Sequence, residues 1–203
     1  MRLGVLLSGR GSNFQAIHQA IADRSLDAEI VCVISNRPDA PGLSRARDYG
    51  YDAHAIDHRQ FDSRDAHERE VLRVLDAARP DFVVLAGYMR LLNSAFVERY
   101  RNRILNIHPS LLPAFPGVDA QAQAFAYGVK VSGCTVHFVD EQLDAGPILV
   151  QRTVDVRDDD DAASLAARIL EQEHVAYVQA LHKLSTHEWR IEGRRVVFGV
   201  RRP

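Results

Sequence analysis

Short apolar runs alternate with stretches of helical period along most of the chain. Residues 2–7 are the first run and end in Ser8-Gly9-Arg10-Gly11-Ser12-Asn13, after which Phe14, Ile17, Ala20 and Ile21 recur at helical spacing. The pattern predicts a strand, a glycine turn and a helix. A second strand over Ile30–Ile34 leads into the turn chemistry of Asn36 to Gly42, then a short helix from Leu43 to Tyr49 that ends at Gly50. Ala53–Ile56 reads as a weak third strand, and residues 64–78 as a charged helix with Val71, Leu72, Leu75 and Ala78 on its apolar stripe. Pro80 stops that helix before a strand over Phe82–Leu85.

The alternation goes on through a helix near Ser94–Tyr100, a buried strand leading to His108, and a short helix over Gln121–Tyr127 closed by Gly128. Strand followed by helix without long gaps predicts an α/β fold, a mostly parallel sheet with helices on both faces. Cys134–Val139 and Ile148–Val156 are successive strands with no helix between them, which predicts an antiparallel C-terminal part and a mixed sheet. Asp158 to Asp161 precede a long helix over about Ala162–Leu184, where their carboxylates suit the positive end of the helix dipole. Glu188–Pro203 reads as a hairpin or tail turning at Glu192-Gly193, its arginines 190, 194, 195, 201 and 202 forming a soluble edge.

Composition narrows the function. The 203 residues suit one domain, expected as an N-terminal half to about residue 100 and a C-terminal half from about 101. With 46% hydrophobic and 26% charged residues the chain is of ordinary globular type, and a net charge of -2 gives no general attraction to nucleic acid or anionic membrane. Neither a signal peptide nor a membrane span is read, and Cys32 and Cys134 sit in apolar runs without CxxC spacing. The expected compartment is the cytoplasm.

Three stretches carry candidate chemistry. In the turn Gly9 to Asn13, backbone N–H groups, the helix dipole and the Ser12 hydroxyl can converge on a phosphate. A dinucleotide fingerprint would need glycine at 14 and an acidic residue after the second strand, where Phe14 and Ser35-Asn36-Arg37 stand. This disfavours NAD, Arg37 leaves NADP open, and a single phosphate monoester fits better. The second stretch, Leu85 to Leu92, follows a strand end and has small residues at 86 and 87 that let a flat ligand approach.

The third is Asn106-Ile-His108-Pro109. Pro109 biases His108 toward extended backbone, and period-two geometry then puts Asn106 and His108 on one face. A carboxylate beside an imidazole stabilises its cation, and Asp140, Glu141 and Asp144 are candidates, with Gly146-Pro147 making Asp144 the most rigidly held. Spacing alone does not choose among them. His54 and His58 lack a third partner, so no metal site is expected, and His137 lies three residues from Cys134, too far round a strand for a nucleophilic pair. His137 does alternate with Thr135 and is a candidate for lining the site.

With Gly9-x-Gly11-Ser12-Asn13, Asn106-Ile-His108-Pro-Ser-Leu-Leu-Pro and Leu143-Asp144-Ala-Gly-Pro in this order, residues 1–185 resemble the phosphoribosylglycinamide formyltransferases, a family of folate-dependent enzymes of purine synthesis. The resemblance implies a Rossmann-like formyltransferase fold. It also implies transfer of a formyl group from the co-substrate 10-formyltetrahydrofolate to the amine of glycinamide ribonucleotide, with no metal, no nucleic acid and no membrane partner. The catalytic trio implied is Asn106, His108 and Asp144. Gly11, Ser12, Asn13 and Glu173 match ribotide contacts. Arg64, Met89, Arg90, Leu91, Leu92, Asn106, Asp140, Glu141, Gln142, Leu143 and Asp144 match the folate side.

Two positions depart from the family, Gln121 where histidine is common and Leu170 where some members have a polar ribotide contact. The related formyltetrahydrofolate hydrolases share the Asn-His-Asp logic but carry an N-terminal regulatory domain, not expected here because the glycine-turn strand starts at Met1. Methionyl-tRNA formyltransferases carry a further C-terminal domain, not expected here because only about 20 residues follow the resemblance. The expected oligomeric state is a monomer or weak homodimer.

Overall fold

The structure, a computed structural model, describes residues 1–199. Arg201 and Arg202 of the expected soluble edge lie outside the described residues. The chain forms two compact units that divide between Leu105 and Asn106.

The first unit is built on strands β1 (Arg2–Leu7), β2 (Glu29–Ser35), β3 (Ala53–Ala55) and β4 (Phe82–Leu85), in the order β3-β2-β1-β4 and all parallel. Helices α1 (Ser12–Ala22), α2 (Pro41–Asp48) and α3 (Arg64–Ala78) connect them, and α4 (Ser94–Arg99) follows β4. Because the order grows in both directions from β1, right-handed crossovers put α1 and α2 on one face and α3 on the other. Side-chain parity along β1 agrees. A Cβ at Gly4 would meet Leu75 of α3 at 2.7 Å, while Leu7, of opposite parity, reaches Gly42 of α2. The strand ends Ser8, Asn36 and Gly87 carry the loops discussed below.

The apolar stripe of α3 differs from the expected one. Its buried residues are His67, Glu68, Val71, Val74 and Leu75, and Leu72 is only half-buried. Two polar residues therefore occupy core positions, a fact the hydrophobic pattern conceals. A short 3-10 helix at His58–Gln60 was also not expected, and His54 lies apart from it on β3.

Strand β5 (Ile104–His108) spans the division, and Asn106 and His108 belong to the second unit. There β6 (Val131–Phe138) and β7 (Ile148–Asp155) pair antiparallel, as expected, with a register shift at Val136/His137. β6 starts three residues earlier than the pattern indicated. Ser132 and Gly133 mask its beginning, and glycine is required at 133 because a Cβ there would lie 2.0 Å from the Arg152 carbonyl oxygen. Helix α5 (Ala120–Tyr127) precedes β6, and the long helix α6 (Ala162–Thr186) packs on β6 and β7. The expected hairpin is present as β8 (Glu188–Glu192) and β9 (Arg195–Gly199), with β9 beside β7. Among the described residues no helix is long and apolar enough to cross a membrane.

Candidate active site

His108 ends β5, buried, with an oxygen on each side of its ring. Nε2 lies 2.8 Å from the Phe115 carbonyl oxygen, and Nδ1 lies 3.4 Å from Asp144 Oδ2. A carbonyl only accepts, so Nε2 carries a proton, while Nδ1 lies within ion-pairing distance of the carboxylate. Asp144 is held in turn by the Gly117 N–H, which donates to Oδ2 at 2.8 Å. Its backbone is left-handed at φ 50°, and a Cβ two residues on at Gly146 would lie 1.9 Å from the Phe138 carbonyl oxygen. Close passage over the end of β6 thus fixes where the Asp144 turn sits.

Asn106, two residues before His108, points its Nδ2 at His137 Nε2, 3.3 Å away. His137 Nδ1 lies 2.8 Å from the Phe138 carbonyl oxygen and donates to it, which leaves Nε2 as an acceptor for the Asn106 amide. Burial, the largest influence, pushes the His137 pKa down, in keeping with a neutral ring. The same Nε2 is 3.8 Å from Asp144 Oδ1. Asn106, His108, His137 and Asp144 therefore form one connected group, and Asp144 is the carboxylate that faces the imidazole.

The loop after His108 is tied down by side chains from the sheet. Thr135 Oγ1 donates to the Ser110 carbonyl (2.7 Å) and accepts from the Leu112 N–H (3.0 Å), and Gln151 Nε2 donates to the Leu112 carbonyl (2.9 Å). Ser110 Oγ donates to the Ala114 carbonyl at 2.5 Å, and the Leu112-Pro113 peptide is cis. Pro109 restricts the residue before it but not the loop beyond. Thr135 and Gln151 hold that loop, and nothing in the spacing of Gln151 pointed to it.

In the first unit, Gly11 is the N-cap of α1 in left-handed conformation at φ 70°, and no side chain caps the helix. A Cβ at Gly11 would come within 3.0 Å of Gly42, so the turn packs directly on α2. Ser12 and Asn13 are the first helical residues, with no acidic residue in that turn, an arrangement suited to an anion. On the 87–92 loop, Met89 and Leu91 are 78% and 63% exposed, apolar side chains presented to solvent beside a half-buried Arg90 and Leu92.

The formyl transferase family matches residues 1–181. The chain belongs to that family. It is 43% identical to the phosphoribosylglycinamide formyltransferase of Escherichia coli (strain K12), over 97% of this chain and 96% of that protein. It is 49% identical to the trifunctional purine biosynthetic protein adenosine-3 of Drosophila melanogaster over 90% of this chain, and spans only 14% of that much longer protein. Among solved structures, glycinamide ribonucleotide transformylase 1 from Symbiobacterium toebii superposes with a TM-score of 0.95 at 47% identity, covering 98% of this chain and 93% of that one. The Rossmann-like α/β fold read from the sequence is thereby shown.

The other residues expected from the formyl transferase resemblance fall as follows. Glu173 is buried on α6 and close enough to Cys134 to act on its thiol. Arg64 begins α3, half-exposed, with Nε 3.7 Å from Glu68. Asp140 Oδ1 accepts from the Gln142 N–H at 2.9 Å, and Glu141, Gln142 and Leu143 are exposed on the same turn. Burial pushes the Cys32 and Cys134 thiols up to about 12, which makes neither a nucleophile near neutral pH. Gln121 lies on the first turn of α5 and Leu170 on α6.

Proposed function

We propose that the chain transfers a formyl group from N10 of 10-formyltetrahydrofolate to the amine of glycinamide ribonucleotide, a step of de novo purine synthesis in the cytoplasm. The observation that carries the reading is the cluster of Asn106, His108 and Asp144, with the buried imidazole between two oxygens, in a chain similar along most of its length to enzymes of that name.

The neutral amine attacks the formyl carbon, a C–N bond forms, and the carbonyl oxygen takes the negative charge. The Asn106 amide and the His108 imidazolium donate to that oxygen, each contact of this kind contributing about 2.7–4 kcal/mol in a preorganised site. Asp144 balances the imidazolium and accepts the amine proton, directly or through water, for delivery to N10 as the C–N10 bond breaks. Tetrahydrofolate leaves with that proton. Because an amine is already a nucleophile, no acyl-enzyme is required, in line with the raised thiols. In the structure the Nε2 proton is taken by Phe115, so its use on the substrate requires the 110–117 loop to release that carbonyl.

In the same reading, Gly11, Ser12 and Asn13 hold the ribotide phosphate and Glu173 contacts the ribotide. Arg64, Met89 to Leu92 and Asp140 to Leu143 serve the folate. Incubation with 10-formyltetrahydrofolate, with and without glycinamide ribonucleotide, tests the proposal. Tetrahydrofolate release that depends on the ribotide is expected; equal release without it would make the chain a hydrolase and overturn the reading.

A further inference from the structure

Three strand ends of the first unit meet at one buried hydroxyl. Ser8, directly after β1, donates its N–H to the Gly87 carbonyl (3.0 Å), and its Oγ accepts from the Met89 N–H (2.8 Å). A backbone N–H can only donate, so the Ser8 proton is free to go elsewhere. It goes to Asn36 Oδ1, 2.5 Å away at the end of β2. Ser8 and Asn36 are both buried, and the Asn36 carbonyl oxygen is 3.0 Å from His58 Nδ1. One direction of hydrogen bonding thus runs from the Met89 backbone through Ser8 to Asn36.

Two features flank this relay. On one side, Ser8 leads straight into Gly9 to Asn13 and the uncapped start of α1. On the other, the 87–92 loop presents the exposed Met89 and Leu91 side chains while its backbone is fixed. Its far end is anchored independently, the Asn93 N–H donating to Glu68 Oε2 at 3.0 Å. Ser8 ties the loop to the residue that opens the glycine turn, through its N–H to Gly87 and its hydroxyl to Met89.

We propose that Ser8 is a positioning residue that couples the two subsites, so that ordering of the glycine turn by the ribotide phosphate strengthens binding of the folate at the 87–92 loop. The inference rests on the proposed reaction. Without the hydroxyl, the Met89 N–H loses its acceptor and the loop is left with only the backbone bond from the Ser8 N–H to the Gly87 carbonyl, a weaker link to the turn.

The test measures binding of 10-formyltetrahydrofolate with and without glycinamide ribonucleotide, and steady-state kinetics, for the unsubstituted chain, Ser8→Ala and Ser8→Thr. Ser8→Ala is expected to raise the folate KM about tenfold, the scale of an unpaired buried donor. It should leave kcat within about threefold, keep ribotide affinity, and abolish the gain in folate affinity that the ribotide gives the unsubstituted chain. Ser8→Thr, which keeps the hydroxyl, should restore part of that gain. A merely structural serine would lower the urea midpoint and leave the KM and the coupling as they were, which overturns the inference. If Ser8→Ala does not fold, Asn36→Ala decides, since it leaves the Met89 bond but frees the hydroxyl: a raised folate KM with reduced coupling supports the relay, and unchanged values refute it. The unsubstituted chain separates the two proposals. No ribotide-dependent release at all defeats the reaction, whereas full activity with coupling intact in Ser8→Ala defeats only the role of Ser8.

Discussion

His108 has an acceptor on each ring nitrogen, and the two are not equivalent. Phe115 offers a neutral carbonyl, while Asp144 offers a charge fixed by the Gly117 N–H. Asp144→Asn keeps the shape and removes the charge, and is expected to lower kcat by about 10²–10⁴-fold with little change in ribotide affinity. Single-turnover formyl transfer checks this, and near-normal transfer would remove Asp144 from the mechanism. His137→Leu takes away the acceptor that orients the Asn106 amide, and the expected loss is in kcat more than in KM, read from the same assay. At this scale the sequence was informative where backbone geometry dictated side-chain direction. Asn106 and His108 share a face because they are two apart on a strand that Pro109 ends. Spacing favoured Asp144 through the Gly146-Pro147 turn, and the family resemblance named it. Ser8 and Gln151 were silent, since an acceptor or donor for a distant backbone group leaves no mark on spacing.

Elements hold these residues by close passage as much as by apolar packing. Gly146 is the sharpest case, and Gly146→Ala is expected to cost about 2 kcal/mol or more and to displace Asp144, because its Cβ would overlap the Phe138 carbonyl. Urea denaturation together with kcat measures both effects. Helix α6 begins with a capping box in which Asp161 accepts from the Ser164 N–H, and Asp160 pairs with Arg168 rather than merely facing water. Asp161→Ala is expected to destabilise the fold by about 1 kcal/mol while leaving transfer intact, checked by denaturation midpoint and activity. The order and type of the elements were legible because the alternation of apolar runs and helical periods is strong. Edges were less so. The start of β6 hides behind Ser132 and Gly133, and the buried face of α3 includes His67 and Glu68, whose partners, the Ile56 carbonyl and the Asn93 N–H, are known only after folding.

Across the whole molecule, buried histidines set the response to acid. The His67 pKa is lowered first by burial: Nε2 donates to the Ile56 carbonyl, and Nδ1 has no partner for a second proton. Burial also lowers His137 and His174. Each group takes up a proton more readily when unfolded. Their contribution is therefore fully present above about pH 6.5 and is lost as pH falls through that value toward the folded pKa. Glu68, raised by burial, acts with opposite sign, its contribution being lost as pH rises through its folded pKa. Urea midpoints should thus fall between about pH 7 and about pH 5.5, and His67→Gln should flatten the slope, since glutamine can donate to Ile56 without titrating. An unchanged slope would contradict the assignment. The fold class was legible at this scale because alternation constrains topology. The reaction was not legible from alternation, and came from motifs that resemble a family to which the chain belongs.

The most direct test of the central claim follows a labelled formyl carbon. With 10-formyltetrahydrofolate labelled in that group and glycinamide ribonucleotide present, a single turnover should carry the label to the ribotide amine, with none retained on the protein and no formate formed when the ribotide is omitted. Label bound to the protein, or formate released without the ribotide, would contradict direct transfer by Asn106, His108 and Asp144.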